Sequence, residues 1–134
     1  MVLDPPLRAL VDKRGVLLIA PHGEGNTCSY LGAPGKHRDE FAFIAALVAD
    51  VKARFPVDAR RFVAAGFSHG ASMVWNSACR QPGLFAVHGP LPGGFREPSP
   101  EACSGTPVDL VHVRGTHRRP GAIGGRALRG GLFR

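Results

Sequence analysis

Apolar and polar positions alternate in blocks that set out an α/β chain. Val16-Leu17-Leu18-Ile19-Ala20 is a continuous apolar run bounded by Gly15 and Pro21. Such a run reads as a buried strand of a parallel sheet, covered on both faces. Residues 21 to 37 are rich in Gly, Pro, Asn and Ser, which marks a loop. Phe41, Ile44, Leu47, Val48 and Val51 then recur at three- and four-residue steps, one apolar face of a helix. Asp39 can cap that helix through its carboxylate, and Pro56 requires it to end by about Arg54. Arg61 to Gly66 predicts a second strand. Ala71 to Arg80, apolar nearly all round, predicts a second, buried helix ended by Pro82-Gly83. Leu84 to Val87 reads as a short strand, residues 89 to 107 as a loop with five Pro and four Gly, and Val108 to Val113 as a last strand. After Gly115 no period is evident.

The order strand–helix–strand–helix–strand–strand predicts an α/β fold with a mostly parallel sheet flanked by helices. Crossovers in such sheets are right-handed. No internal repeat is present. No apolar run reaches the ~20 residues of a membrane helix. Asp4, Pro5 and Pro6 interrupt the N-terminus, which does not read as a secretory signal.

Charge changes the picture only at one end. The net charge is +7, but the stretch from Arg114 to Arg134 holds six Arg and no acid, leaving 11 basic against 10 acidic side chains before it. The body is nearly neutral and the tail is basic. A basic tail can attract nucleic acid, but a charge run more often reads as a solvated, irregular end. The three cysteines, Cys28, Cys79 and Cys103, fit no zinc spacing.

The chemistry concentrates at Gly66-Phe67-Ser68-His69-Gly70, where a strand turns directly into a helix. A serine hydroxyl needs exposure, a base and oxyanion donors to act as a nucleophile. A sharp strand-to-helix turn exposes it, and flanking glycines relieve crowding. Ser68 is the candidate nucleophile, and the backbone N–H of His69 is the candidate oxyanion donor.

Several further stretches occur in order: Ala20-Pro21-His22-Gly23-Glu24-Gly25, Arg54-Phe55-Pro56-Val57-Asp58, Gly66 to Trp75, Pro82-Gly83-Leu84-Phe85-Ala86, and Pro107 to Thr116. With them the run from Val11 to Arg134 resembles the polyhydroxybutyrate depolymerase family, esterases related to feruloyl and acetyl-xylan esterases. The resemblance implies a secreted α/β-hydrolase that cleaves small esters or polyesters of hydroxyalkanoates through an acyl-enzyme, with no metal or cofactor and no membrane partner. It divides the chain into a partial α/β-hydrolase domain over 1–116 and an Arg/Gly-rich tail over 117–134 that continues the same domain.

Set beside that family, the chain departs in three places. The family's acid falls in a His-Gly-Thr-x-Asp pattern, but this chain reads Arg114-Gly115-Thr116-His117-Arg118, so a cation stands where the acid should be. The histidine of the triad should follow the acid, and none does; His117 is the best local candidate for the base. His69 should diverge from the hydroxyl it adjoins, His112 falls in a strand, and His22, His37 and His88 fall in loops. Among the acids, only Glu24 lies just past a strand's C-terminal end; Asp58 and Asp109 precede their strands. The second oxyanion donor belongs to a strand upstream of the first one here, and its absence would leave a sheet edge open to self-association. An active but impaired esterase and a non-catalytic, truncated remnant are both expectations. Cys79 and Cys103 would be placed to bridge the second helix to the loop before the last strand, contributing ~3 kcal/mol.

Overall fold

Two prolines open the chain's first element, helix α1 (Pro5–Arg14). Proline suits the first helical turn, where its missing N–H has no helical partner to lose. Gly15 closes the helix at φ 59°. Its N–H donates to the Asp12 carbonyl and that of Val16 to the Val11 carbonyl, the paired closure of a left-handed cap. The periodicity does not point to this helix, and only Val11 of it is partly buried. The structure, a computed structural model, describes residues 5–26, 28–30, 38–96 and 98–113.

Val16 to Ala20 does not form the expected buried strand. The run is outside any strand, and Val16, Leu17, Leu18 and Ile19 are exposed by 51, 46, 42 and 39%. Residues 17–20 make no backbone hydrogen bond among the described residues. A strand exists only against a neighbour, and no neighbouring strand reaches this run among the described residues.

Helix α2 (Glu40–Arg54) starts where the sequence places it. The Asp39 carboxylate accepts from the N–H groups of Phe41 and Ala42 at 3.0 and 3.1 Å. It ends before Pro56, and Val48 and Val51 of its apolar face are buried. Asp58 caps a short 3-10 turn over Ala59–Arg61, so strand β1 (Val63–Gly66) begins two residues later than expected. Helix α3 (His69–Arg80) follows, with eight buried residues. The turn after Pro82 runs through Leu84, which moves the next strand, β2 (Val87–Pro90), three residues on from the expected span. The last strand, β3, shrinks to Asp109–Leu110, so Asp109 opens that strand instead of preceding it.

The three strands form one parallel sheet in the order β1-β2-β3. The register aligns Ala64 with His88 and Gly66 with Pro90, and His88 with Leu110. Helix α3 is the crossover between β1 and β2 and packs on both. The described part of the chain is therefore a small α/β domain with three helices and a three-stranded parallel sheet. Its core is α3 on the sheet, with Ala71, Met73, Val74, Ala78 and Cys79 buried. A disulfide joins Cys79 to Cys103, and the Ser104 N–H donates to the Cys79 carbonyl at 3.0 Å. This fastens the end of α3 to the segment leading into β3. Among the described residues β1 is an edge of the sheet, and its Val63 is 60% exposed.

Candidate functional site

The turn between β1 and α3 is two residues long, and Ser68 is sharply bent in it. Its φ of 54° and ψ of −113° make it the one non-glycine residue with positive φ among the described residues. An L residue held there stores on the order of 1–3 kcal/mol of strain. The serine is exposed, and its hydroxyl makes no capping hydrogen bond to α3.

Gly66 allows the turn. A Cβ on it would collide with the Gly70 carbonyl and come within 2.9 Å of the Ala71 nitrogen. Gly70 differs: a Cβ there would meet nothing within 4 Å among the described residues. The sequence pattern asks for glycine at both positions; here the first turn of α3 leaves Gly70 facing open space.

The first N–H groups of a helix lack partners within it, and they carry the positive end of its dipole. At α3 the Gly70 N–H is taken by the Phe67 carbonyl at 2.8 Å. The His69 N–H makes no hydrogen bond among the described residues, which leaves it able to stabilise charge beside Ser68.

A second segment closes on the turn from the far end of β2, and nothing in the periodicity announces it. The Leu91 N–H donates to the Gly66 carbonyl at 2.8 Å, and the Ser68 N–H donates to the Pro92 carbonyl at 3.1 Å. The buried Ser72 hydroxyl donates to the Gly94 carbonyl at 2.8 Å. Gly93 passes so close that a Cβ on it would lie 2.6 Å from that of Ala71 and 2.7 Å from the Ser68 carbonyl oxygen. Phe95 packs on Trp75, ring centroids 5.5 Å apart. The signal that could reveal it is Pro92-Gly93-Gly94 directly after a strand, a backbone able to approach closely.

No histidine or carboxylate hydrogen-bonds to the Ser68 hydroxyl among the described residues. His117 and Arg118 lie outside the described residues, as do His37 and the tail. His69 opens α3. His22 is exposed in a loop, its carbonyl accepting from Arg38 Nη2 at 2.7 Å. Glu24 accepts from the Arg38 N–H at 3.0 Å, which ties it to the start of α2. His112 lies past β3, outside a strand, with its ring edge-on to Trp75.

His88 corrects the sequence reading most. It sits in β2, not a loop, and is fully buried, with neither ring nitrogen in a well-formed hydrogen bond among the described residues. Burial pushes its pKa below the usual histidine value, and the nearby Asp109 backbone offsets this in part. Among the described residues no group of three His, Cys, Asp or Glu could hold a metal ion, and no helix is long and apolar enough to cross a membrane.

Comparison with protein-family models, curated proteins and solved structures finds no match to the chain.

Proposed function

We propose that this chain is a serine ester hydrolase of the polyhydroxybutyrate depolymerase-like type, with a partial α/β-hydrolase fold. The observation that carries the reading is the backbone of Ser68, bent into positive φ between a parallel strand and a helix. A protein gains nothing in stability from that strain, and such outliers cluster where chemistry needs them. In the proposed reaction Ser68 Oγ attacks the ester carbonyl carbon and its proton passes to a base. The His69 N–H donates to the oxyanion. The alcohol leaves, and water then releases the acid from Ser68. His117 is the candidate base. With Arg118 at the acid's place, catalysis is impaired, because a cation there opposes the imidazolium.

A second reading, a non-catalytic form of the same scaffold, is favoured by one observation: no described side chain hydrogen-bonds to the Ser68 hydroxyl. The Cys79–Cys103 disulfide supports an extracellular setting. The edge of β1, unpaired among the described residues, supports self-association.

A fluorophosphonate probe separates the two readings without demanding turnover. The esterase reading expects a single adduct on Ser68 by mass spectrometry, absent in Ser68→Ala. No adduct on native protein would leave the non-catalytic form.

A further inference from the structure

The segment that closes on the Ser68 turn continues along the whole of α3. Ser68 donates its N–H to the Pro92 carbonyl, and Ser72 its hydroxyl to the Gly94 carbonyl. Trp75 packs on Phe95, and Cys79 is bridged to Cys103. Positions 68, 72, 75 and 79 step by four, three and four, which is one stripe of a helix. Their partners follow in the same chain order, so residues 91–96 and 98–104 form a strap running parallel to α3. At 1.5 Å per residue, roughly 16 Å of helix separates its two ends. The bent serine lies at one end and the disulfide at the other.

Burial does little to hold the strap: none of its described residues is buried. A segment with few buried apolar contacts opens at low free-energy cost. A covalent tie at one end therefore limits how far the strap can leave the helix. The tie is accessible from one side. Cys79 is 3% exposed, whereas Cys103 is exposed, so a thiol meets the bridge at Cys103.

We propose that the Cys79–Cys103 bridge is a redox-sensitive latch, and that opening it frees the strap from α3 and from the Ser68 turn. A dithiol opens it. One thiolate bonds to the Cys103 sulfur, the S–S bond breaks, and the Cys79 sulfur leaves with the electron pair and takes up a proton. The second thiol of the reductant then displaces Cys103 as a thiol, and the reductant is left as a disulfide. With the latch open, the Ser68 N–H exchanges the Pro92 carbonyl for water, and the turn loses the close packing of Gly93. The movement of the strap does not depend on the reactivity of Ser68; that it switches an esterase rests on the function proposed above.

Amide NMR of isotope-labelled protein, oxidised and in dithiothreitol, tests the latch, with Cys103→Ser as the variant that needs no reductant. The spectra are recorded without denaturant, so a loss of global stability alone leaves the resonances of the folded protein in place. On reduction the Ser68 and Leu91 amide resonances shift, the emission of Trp75, the single tryptophan, moves to the red, and reoxidation restores both. Fluorophosphonate labelling of Ser68 slows by about tenfold as the His69 N–H loses its fixed position. Shifts confined to the neighbours of Cys79 and Cys103 overturn the proposal, as does an equal rate of labelling in both states. Collapse of the whole folded spectrum on reduction also overturns it, since the bridge would then support the domain and not a strap. Shifts at Ser68 and Leu91 with no labelling of the oxidised protein would uphold the latch and remove only the esterase.

Discussion

The Ser72 hydroxyl donates to the Gly94 carbonyl at 2.8 Å, across 22 residues of sequence. Ser72 lies one helical turn beyond Ser68 and donates its own N–H to the Ser68 carbonyl at 3.1 Å. One residue thus holds both the bent turn and the segment that closes on it. Replacing it with alanine strands the Gly94 carbonyl and removes about 1 kcal/mol of net hydrogen bonding. The amides of Ser68 and Leu91, which bridge turn and segment, then exchange with solvent about fivefold faster. Native-state hydrogen exchange on Ser72→Ala measures this. Unchanged exchange at both amides would mean the segment is held without Ser72.

Strain at Ser68 has a thermodynamic signature independent of activity. Glycine carries no penalty at positive φ, whereas alanine keeps it. Ser68→Gly is expected to be more stable than Ser68→Ala by about 1 kcal/mol, after offsetting the extra unfolded-state freedom of glycine. Urea unfolding of the two variants decides. An alanine variant as stable as the glycine one would mean the turn relaxes.

The Cys79–Cys103 disulfide joins residues 24 apart in sequence. A loop of that size contributes on the order of 3 kcal/mol. Domain stability is itself only about 5–15 kcal/mol. Cys103→Ser is therefore expected to lower the urea midpoint steeply, and wild-type protein in reductant to match it. A reductant-insensitive midpoint would show that the α3 junction holds without the bridge.

His88 sets a pH dependence. Its folded pKa lies below its unfolded value because burial disfavours the charged ring. The unfolded chain therefore binds more protons, and stability rises with pH through this group. The contribution is complete above the unfolded value of about 6.5 and is lost as pH falls through the depressed folded value. Thermal midpoints measured down from neutral pH fall in wild type, and the fall is shallower in His88→Leu. Parallel slopes would assign the effect to other groups.

Several of these features can be read from the chain. The Asp39 cap, the Pro56 stop and the strand-to-helix turn at Ser68 rest on neighbours in sequence, and each lies where the residues place it. Cys79 and Cys103 can be paired because the elements carrying them follow in the expected order. Val16 to Ala20 has the composition of a strand without being one, because a strand is a property of pairing and composition does not say whether a neighbour is present. β2 lies beyond its expected span because the turn after Pro82 extends through Leu84. α1 escapes the pattern because Pro5 and Pro6 read as a break, while at a helix start they are compatible with one. The approach of Gly93 to Ser68 depends on a long-range fit that no local pattern encodes.

Whether Ser68 is a working nucleophile is tested most directly by hydrolysis of a short-chain p-nitrophenyl ester by the purified protein, measured beside Ser68→Ala. A slow rate that Ser68→Ala abolishes is expected, far below that of an intact triad because the acid's place holds a cation. Equal background rates in both proteins would contradict the proposed esterase and leave the bent turn as architecture alone.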